Sequence, residues 1–215
     1  MNLESILPFM SFFGTCFVAI FVIIDPFAVV PIFLTLTHDQ DAASKKQINR
    51  KATLISASIL VAIAFFGKGI FDIFGITLPA FQIAGGILLL ILGIEQLENK
   101  RKRVKKEEEE EGLEKDDISV FPLGTPLLAG PGAISTVVLM GSNATWQEIA
   151  VLIVAILCVL LSSYIILQGS TFVYRLLGKT GLNLLTRIMG IILTAVAVQF
   201  ILNGITGFIE VLKLG

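Results

Sequence analysis

From Asn2 to Thr37 only Glu4 and Asp25 are charged; from Ala52 to Ile94 only Lys68 and Asp72 are, and from Ile118 to Tyr174 only Glu148. Apolar runs of that length decide the solvent before they decide the fold. A membrane helix needs roughly 20 mainly apolar residues, and lipid offers the backbone no hydrogen-bond partners, so the spanning segments must bond internally. A water-soluble core of 215 residues would carry more charge than the 15% found here beside 55% hydrophobic residues and a mean hydropathy of +0.88. An all-α membrane protein with six transmembrane helices is expected, with spans near 9–36, 48–67, 76–97, 118–141, 149–168 and 184–209. The first is too long for one straight crossing at about 1.5 Å per residue, so tilt or a break must absorb the excess.

The basic residues fall on alternate connections. Lys45, Lys46, Arg50 and Lys51 follow the first span. Lys100, Arg101, Lys102, Arg103, Lys105, Lys106 and Lys115 follow the third, and Arg175, Lys179 and Arg187 lie between the fifth and sixth. Fourteen cations on one side stand against Lys68 and Lys213 on the other. Basic loops stay in the cytoplasm, which places both termini outside. The run Glu98–Asp117, basic and then acidic, reads as a solvated cytoplasmic linker between a first repeat at 1–97 and a second at 118–215.

These halves match at a constant offset: Pro26 falls on Pro131, Ala28 on Ala133, Gly85 on Gly190, and Ile83, Ile87 and Leu88 on Ile188, Ile192 and Leu193. Three spans per half force the second to enter the membrane upside down, an inverted repeat of the kind secondary transporters use. Channels also use it.

Matching positions in the two halves carry Asp25-Pro26 and Gly130-Pro131-Gly132. Proline inside a helix removes a hydrogen bond and clashes with the preceding turn, while a cap residue followed by proline is how a helix begins. The first span of each half is therefore expected to be broken, with two half-helix N-termini presenting partial positive charge to the protein centre. Plain kinks are the alternative. Asp25 reads as a helix cap, as a functional acid deep in the membrane, or as both. Ser135 and Thr136, one turn past the second joint, line a polar cavity or bond back to their own helix. Gln199 and Asn203, four residues apart and so on one face, line an interior cavity or bond to a neighbouring helix. Arg187 reads as snorkelling to the interface, and Gly85, Gly86 and Gly190 as allowing close helix packing.

Other chemistries find no support. Cys16 and Cys158 lie in apolar runs, where neither a disulfide nor a metal site is expected. The single histidine is His38, and neither a phosphate-binding Gly-Lys motif nor a nucleophile triad occurs. No enzyme activity, cofactor or metal is expected. No basic-aromatic surface suggests nucleic acid. The N-terminus lacks the pattern of a cleaved signal peptide, and Asn143-Ala144-Thr145, which matches the glycosylation triplet on an outward loop, matters only in a host that glycosylates there and is discounted.

Asp25-Pro26 with Pro31, Ala84-Gly85-Gly86, Leu128 to Thr136 (LAGPGAIST), Arg187-Ile188-Met189-Gly190 and Val198 to Ile205 (VQFILNGI) together resemble the MarC family, also called the small neutral amino-acid transporter family, of the LysE-like superfamily. Gln82 departs from it, since the resemblance implies an arginine there. The resemblance implies a six-span prokaryotic inner-membrane protein, and for some members proton-coupled carriage of glycine, alanine and related amino acids. The expected partners are the lipid bilayer and a neutral amino acid, with a homo-oligomer left open. A channel-like pore and a non-transporting scaffold remain as other readings.

Overall fold

The computed structural model describes residues 3–98, 117–142 and 144–214. Apart from its end residues, the expected charged linker lies outside the described residues, as does Asn143 of the glycosylation triplet. Eight helical segments follow in order: α1 (Leu3–Ile24), α2 (Pro26–Leu36), α3 (Ala42–Phe74), α4 (Leu78–Glu98), α5 (Ser119–Leu128), α6 (Pro131–Gly141), α7 (Trp146–Gln168) and α8 (Ser170–Leu214). Among the described residues five stretches are long and apolar enough to cross a membrane: Leu7–Leu36, Ala42–Gly67, Leu78–Leu97, Trp146–Gln168 and Ser170–Glu210. Helices α5 and α6, bent by 53° to each other, make a sixth if they are counted as one broken span.

Two elements differ from the sequence reading. The last helix begins earlier than expected and is two helices, 170–177 and 179–214, on either side of Gly178 at φ 61, ψ -176. Glycine reaches that conformation without a Cβ clash. The first half of the fourth span is also not a regular α-helix. Leu123 N–H donates to Ile118 O at 3.3 Å and Ala129 N–H to Gly124 O at 2.9 Å, five residues back, while Phe121 and Thr125 are extended. Each of these extended residues precedes a proline, Pro122 or Pro126, and the proline ring disfavours helical geometry in the residue before it.

Three contacts set the arrangement. Helices α4 and α8 lie antiparallel and almost backbone to backbone. A Cβ at Gly86 would stand 2.8 Å from Ala197 O, one at Gly190 3.1 Å from Gly93 O, and one at Gly204 2.8 Å from Pro79 O. Side chains would hold the helices further apart, which is why small residues mark such crossings. Helices α3 and α7 are also antiparallel, tied at one end by Asn49 Nδ2 donating to Tyr164 O at 3.0 Å. At the other end of α7, Ala150, Val151 and Val154 meet Phe9, Met10 and Phe13 of α1. Large apolar side chains such as Leu54, Phe66, Leu161, Ile165 and Ile191 face outward, as a lipid solvent allows and water would not.

Candidate functional site

Asp25 ends α1 by its backbone. It sits at φ 45, ψ 69, a left-handed conformation that aspartate and asparagine adopt more readily than other side chains. Its N–H still closes the last turn of α1 onto Phe21 O at 2.9 Å. Its Oδ1 accepts from Ala28 N at 3.3 Å, and Pro26 occupies the first turn of α2, where a missing N–H costs nothing. Asp25 and Pro26 are both buried. The break expected here is present, with Asp25 as its cap.

The second joint is built differently. Gly130 is extended at φ -79, ψ 171, carries no side-chain cap and leads into Pro131 at the start of α6. Pro131 is exposed and Gly130 half-buried, in contrast to the sealed Asp25-Pro26. The N-terminus of α6 therefore opens toward a surface, and the first-turn N–H groups beyond Pro131 have no intrahelical acceptor. In the irregular α5 before it, the carbonyl of Gly124 accepts from the buried Ser56 hydroxyl of α3 at 3.0 Å. The same carbonyl accepts from Ala129 N–H, and the Ser56 hydroxyl also reaches Ala52 O at 2.9 Å, so the irregular backbone is satisfied within the protein, as lipid requires.

The joints touch. A Cβ at Gly132 would lie 3.1 Å from Cγ2 of Ile23 and 2.8 Å from Cδ1 of Leu92. Two breaks far apart in sequence thus share one point in the core, roofed by α4. From that point Thr136 lies one turn along α6, wholly buried, and its hydroxyl oxygen has no partner among the described residues. Ser135 beside it is half-buried.

Gln96 was not singled out by the sequence. It is wholly buried one turn beyond Leu92 on the same face of α4, and neither its amide oxygen nor its nitrogen has a partner among the described residues. Gly190 makes room for it, since a Cβ there would stand 3.0 Å from that of Gln96. Short turns join α3 to α4 and α6 to α7, and α3 is antiparallel to α7, so α4 and α6 run in opposite senses. Gln96 and Thr136 therefore lie on opposite sides of the meeting point. Leaving a buried amide unpaired costs about 1–3 kcal/mol, which packing alone does not require here because leucine would fill the same space.

Gln199 and Asn203 are not brought to the joints. Both are exposed on α8, and Gln199 Nε2 donates to Asn203 Oδ1 at 2.8 Å. Arg187 is exposed. Gly86 and Gly190 serve close packing as expected, whereas nothing lies within 4 Å of a Cβ at Gly85. Cys16 and Cys158 are free thiols, and no metal-binding cluster occurs among the described residues.

At the end of the bundle where Gln96 lies, a polar cavity of about 530 Å³ is lined by Thr35, Asp39, Gln47, Lys51 and Asp117 among others. Lys51 pairs with Asp117 across it. The Lys51 amine, and after it the Ser119 hydroxyl, hold the Asp117 carboxyl below the ordinary carboxylate range.

Broken spans of this kind, paired at one point in an all-helical bundle, fit the resemblance seen in the sequence, and the family comparison decides it. The profile of the MarC family integral membrane proteins matches residues 10–209. The chain belongs to the MarC family. It is similar to a UPF0056 membrane protein of Methanocaldococcus jannaschii, 40% identical over 92% of this chain and 98% of that one. It is also similar to the UPF0056 membrane protein YvbG of Bacillus subtilis, 39% identical over 94% and 98%. A third relative is the UPF0056 membrane protein YhcE of Escherichia coli, 35% identical over 89% and 90%. No solved structure matches the chain. Membership makes it an integral membrane protein of several helical spans, in agreement with its apolar helices.

Proposed function

We propose that this MarC-family chain is a secondary carrier of small neutral amino acids of the glycine and alanine class, coupled to protons. In this reading it comprises two inverted three-span repeats in the inner membrane, with both termini outside and the charged linker in the cytoplasm. The observation that carries the proposal is the meeting of the two helix breaks at Ile23 and Gly132. Broken helices crossing at a repeat interface are how carriers of this architecture hold a substrate against backbone groups rather than lipid.

The two joints suit the two ends of a zwitterion. The free N–H groups at the start of α6, behind Gly130 and Pro131, favour a carboxylate, and the Asp25 carboxylate favours an ammonium. Thr136 and Gln96, buried on either side, are polar groups a small substrate would meet, and the side chains at the meeting point, Ile23, Leu89 and Leu92, are apolar, which suits a short side chain. The path carries too few polar groups for a standing water-filled pore. Gln199 and Asn203, an amide pair on an exposed face of a membrane helix, support self-association instead of substrate binding, because interhelical amide bonds hold such helices together.

Uptake of radiolabelled alanine and glycine by proteoliposomes, with and without an imposed pH gradient, tests the reading. Saturable, gradient-driven accumulation is expected. Unsaturable flux would make the protein a pore, and no flux across the neutral amino acids would leave it a scaffold.

A further inference from the structure

Between α3 and α7, away from both joints, runs a groove of about 360 Å³. Leu54, Ala57, Leu157 and Leu161 give it apolar walls, and Arg50 and Tyr164 lie together at one end. Leu54, Leu157 and Leu161 remain 56, 47 and 57% exposed, so the groove opens outward along the membrane-facing flank of the bundle. The bond from Asn49 to the Tyr164 carbonyl fixes its width at the Arg50 end. Lys46, exposed and one turn before Arg50, lies on the same face of α3.

A second groove of about 360 Å³ supplies the contrast. It lies between α1 and α7 near the opposite end of the bundle and is lined by Phe9, Met10, Phe13, Ala150, Val151 and Val154, none of them charged. A groove of that kind takes an acyl chain and has nothing with which to choose a headgroup. The α3–α7 groove adds a guanidinium, a phenol and a nearby ammonium at the end of an apolar slot.

We propose that the α3–α7 groove is a binding site for an anionic phospholipid. The headgroup phosphate pairs with the Arg50 guanidinium, whose planar fork matches phosphate oxygens. Lys46 adds a second positive charge and Tyr164 a hydroxyl donor. One acyl chain lies along Leu54, Ala57, Leu157 and Leu161. Basic side chains at the cytoplasmic end of an interhelical groove are the recognised way for membrane helices to select anionic lipids, and the pairing brings no uncompensated charge into the hydrocarbon.

The test is native mass spectrometry of the intact chain in detergent, titrated with phosphatidylglycerol and phosphatidylcholine of the same acyl chains. The wild type is expected to prefer phosphatidylglycerol. Arg50→Gln should lower that preference about fivefold, the equivalent of about 1 kcal/mol per cation near the surface, and Arg50→Gln with Lys46→Gln should lower it further. Ala57→Trp, which fills the slot and leaves every charge, should reduce phosphatidylglycerol binding as well. Lys179→Gln, a charge removed elsewhere, should change nothing. Absence of a wild-type preference, an unchanged preference in Arg50→Gln, full binding by Ala57→Trp, or an equal loss in Lys179→Gln would each overturn the proposal.

Discussion

A Cβ at Gly132 would stand 3.1 Å from Cγ2 of Ile23, so the break that ends α1 and the break that begins α6 are in contact. Gly132→Val places a branched side chain in that contact and against Leu92. Overpacking of this kind costs about 1–3 kcal/mol. Thermal unfolding in detergent, followed through the single tryptophan Trp146, should show the loss, and alanine transport should fall with it. A fully stable, active Gly132→Val protein would mean that the joints are free to separate.

The α4–α8 contact offers a sharper comparison between neighbours. Gly86→Ala sets a methyl group 2.8 Å from Ala197 O and 3.0 Å from Ile201 N, both backbone atoms that cannot turn aside. Gly85→Ala meets nothing within 4 Å. Gly86→Ala should lower the unfolding temperature clearly. Gly85→Ala should leave it unchanged or raise it slightly, because alanine is the better helix former.

Gln96 separates stability from transport. Gln96→Leu removes two buried polar atoms that have no partner among the described residues, so the variant should unfold at a higher temperature than the wild type. Its alanine transport should fall if the amide meets the substrate. Stability and transport moving in opposite directions is the signature to look for; a stabilised variant with wild-type transport would assign Gln96 no part in the path.

The spans were legible because charge is absent from them, and the break at Asp25-Pro26 because a carboxylate before a proline names both cap and helix start. The irregularity of α5 is also written in the sequence, in Phe121-Pro122 and Thr125-Pro126: two X-Pro pairs so close together leave no room for a regular helix. Gln96 was not legible. A glutamine near the end of an apolar span reads as an interfacial residue, whereas here it is buried, with Gly190, far along the chain, packed against it. Likewise, four-residue spacing put Gln199 and Asn203 on one face but could not say which face α4 would cover.

Orientation is open to direct labelling. Single cysteines replacing Lys45, Lys102 and Lys179 in turn, in a background without Cys16 and Cys158, should resist an impermeant thiol reagent in intact cells and react once the membrane is opened. Labelling of position 102 from outside would invert the proposed topology.

Asp25 bears on the central claim, that the joints form the site of a proton-coupled carrier. Asp25→Ala loses the cap, at about 1 kcal/mol, and must also hold alanine in a left-handed conformation, at roughly 1–2 kcal/mol. Asp25→Asn avoids both costs, since asparagine caps as well as aspartate and tolerates the same backbone. The decisive measurement is therefore alanine accumulation by proteoliposomes of Asp25→Asn under an imposed pH gradient, beside exchange of alanine across the same membranes without one. The expected result is a variant as stable as the wild type that still exchanges alanine but no longer accumulates it. Wild-type accumulation by Asp25→Asn would contradict it and leave Asp25 as a helix cap alone.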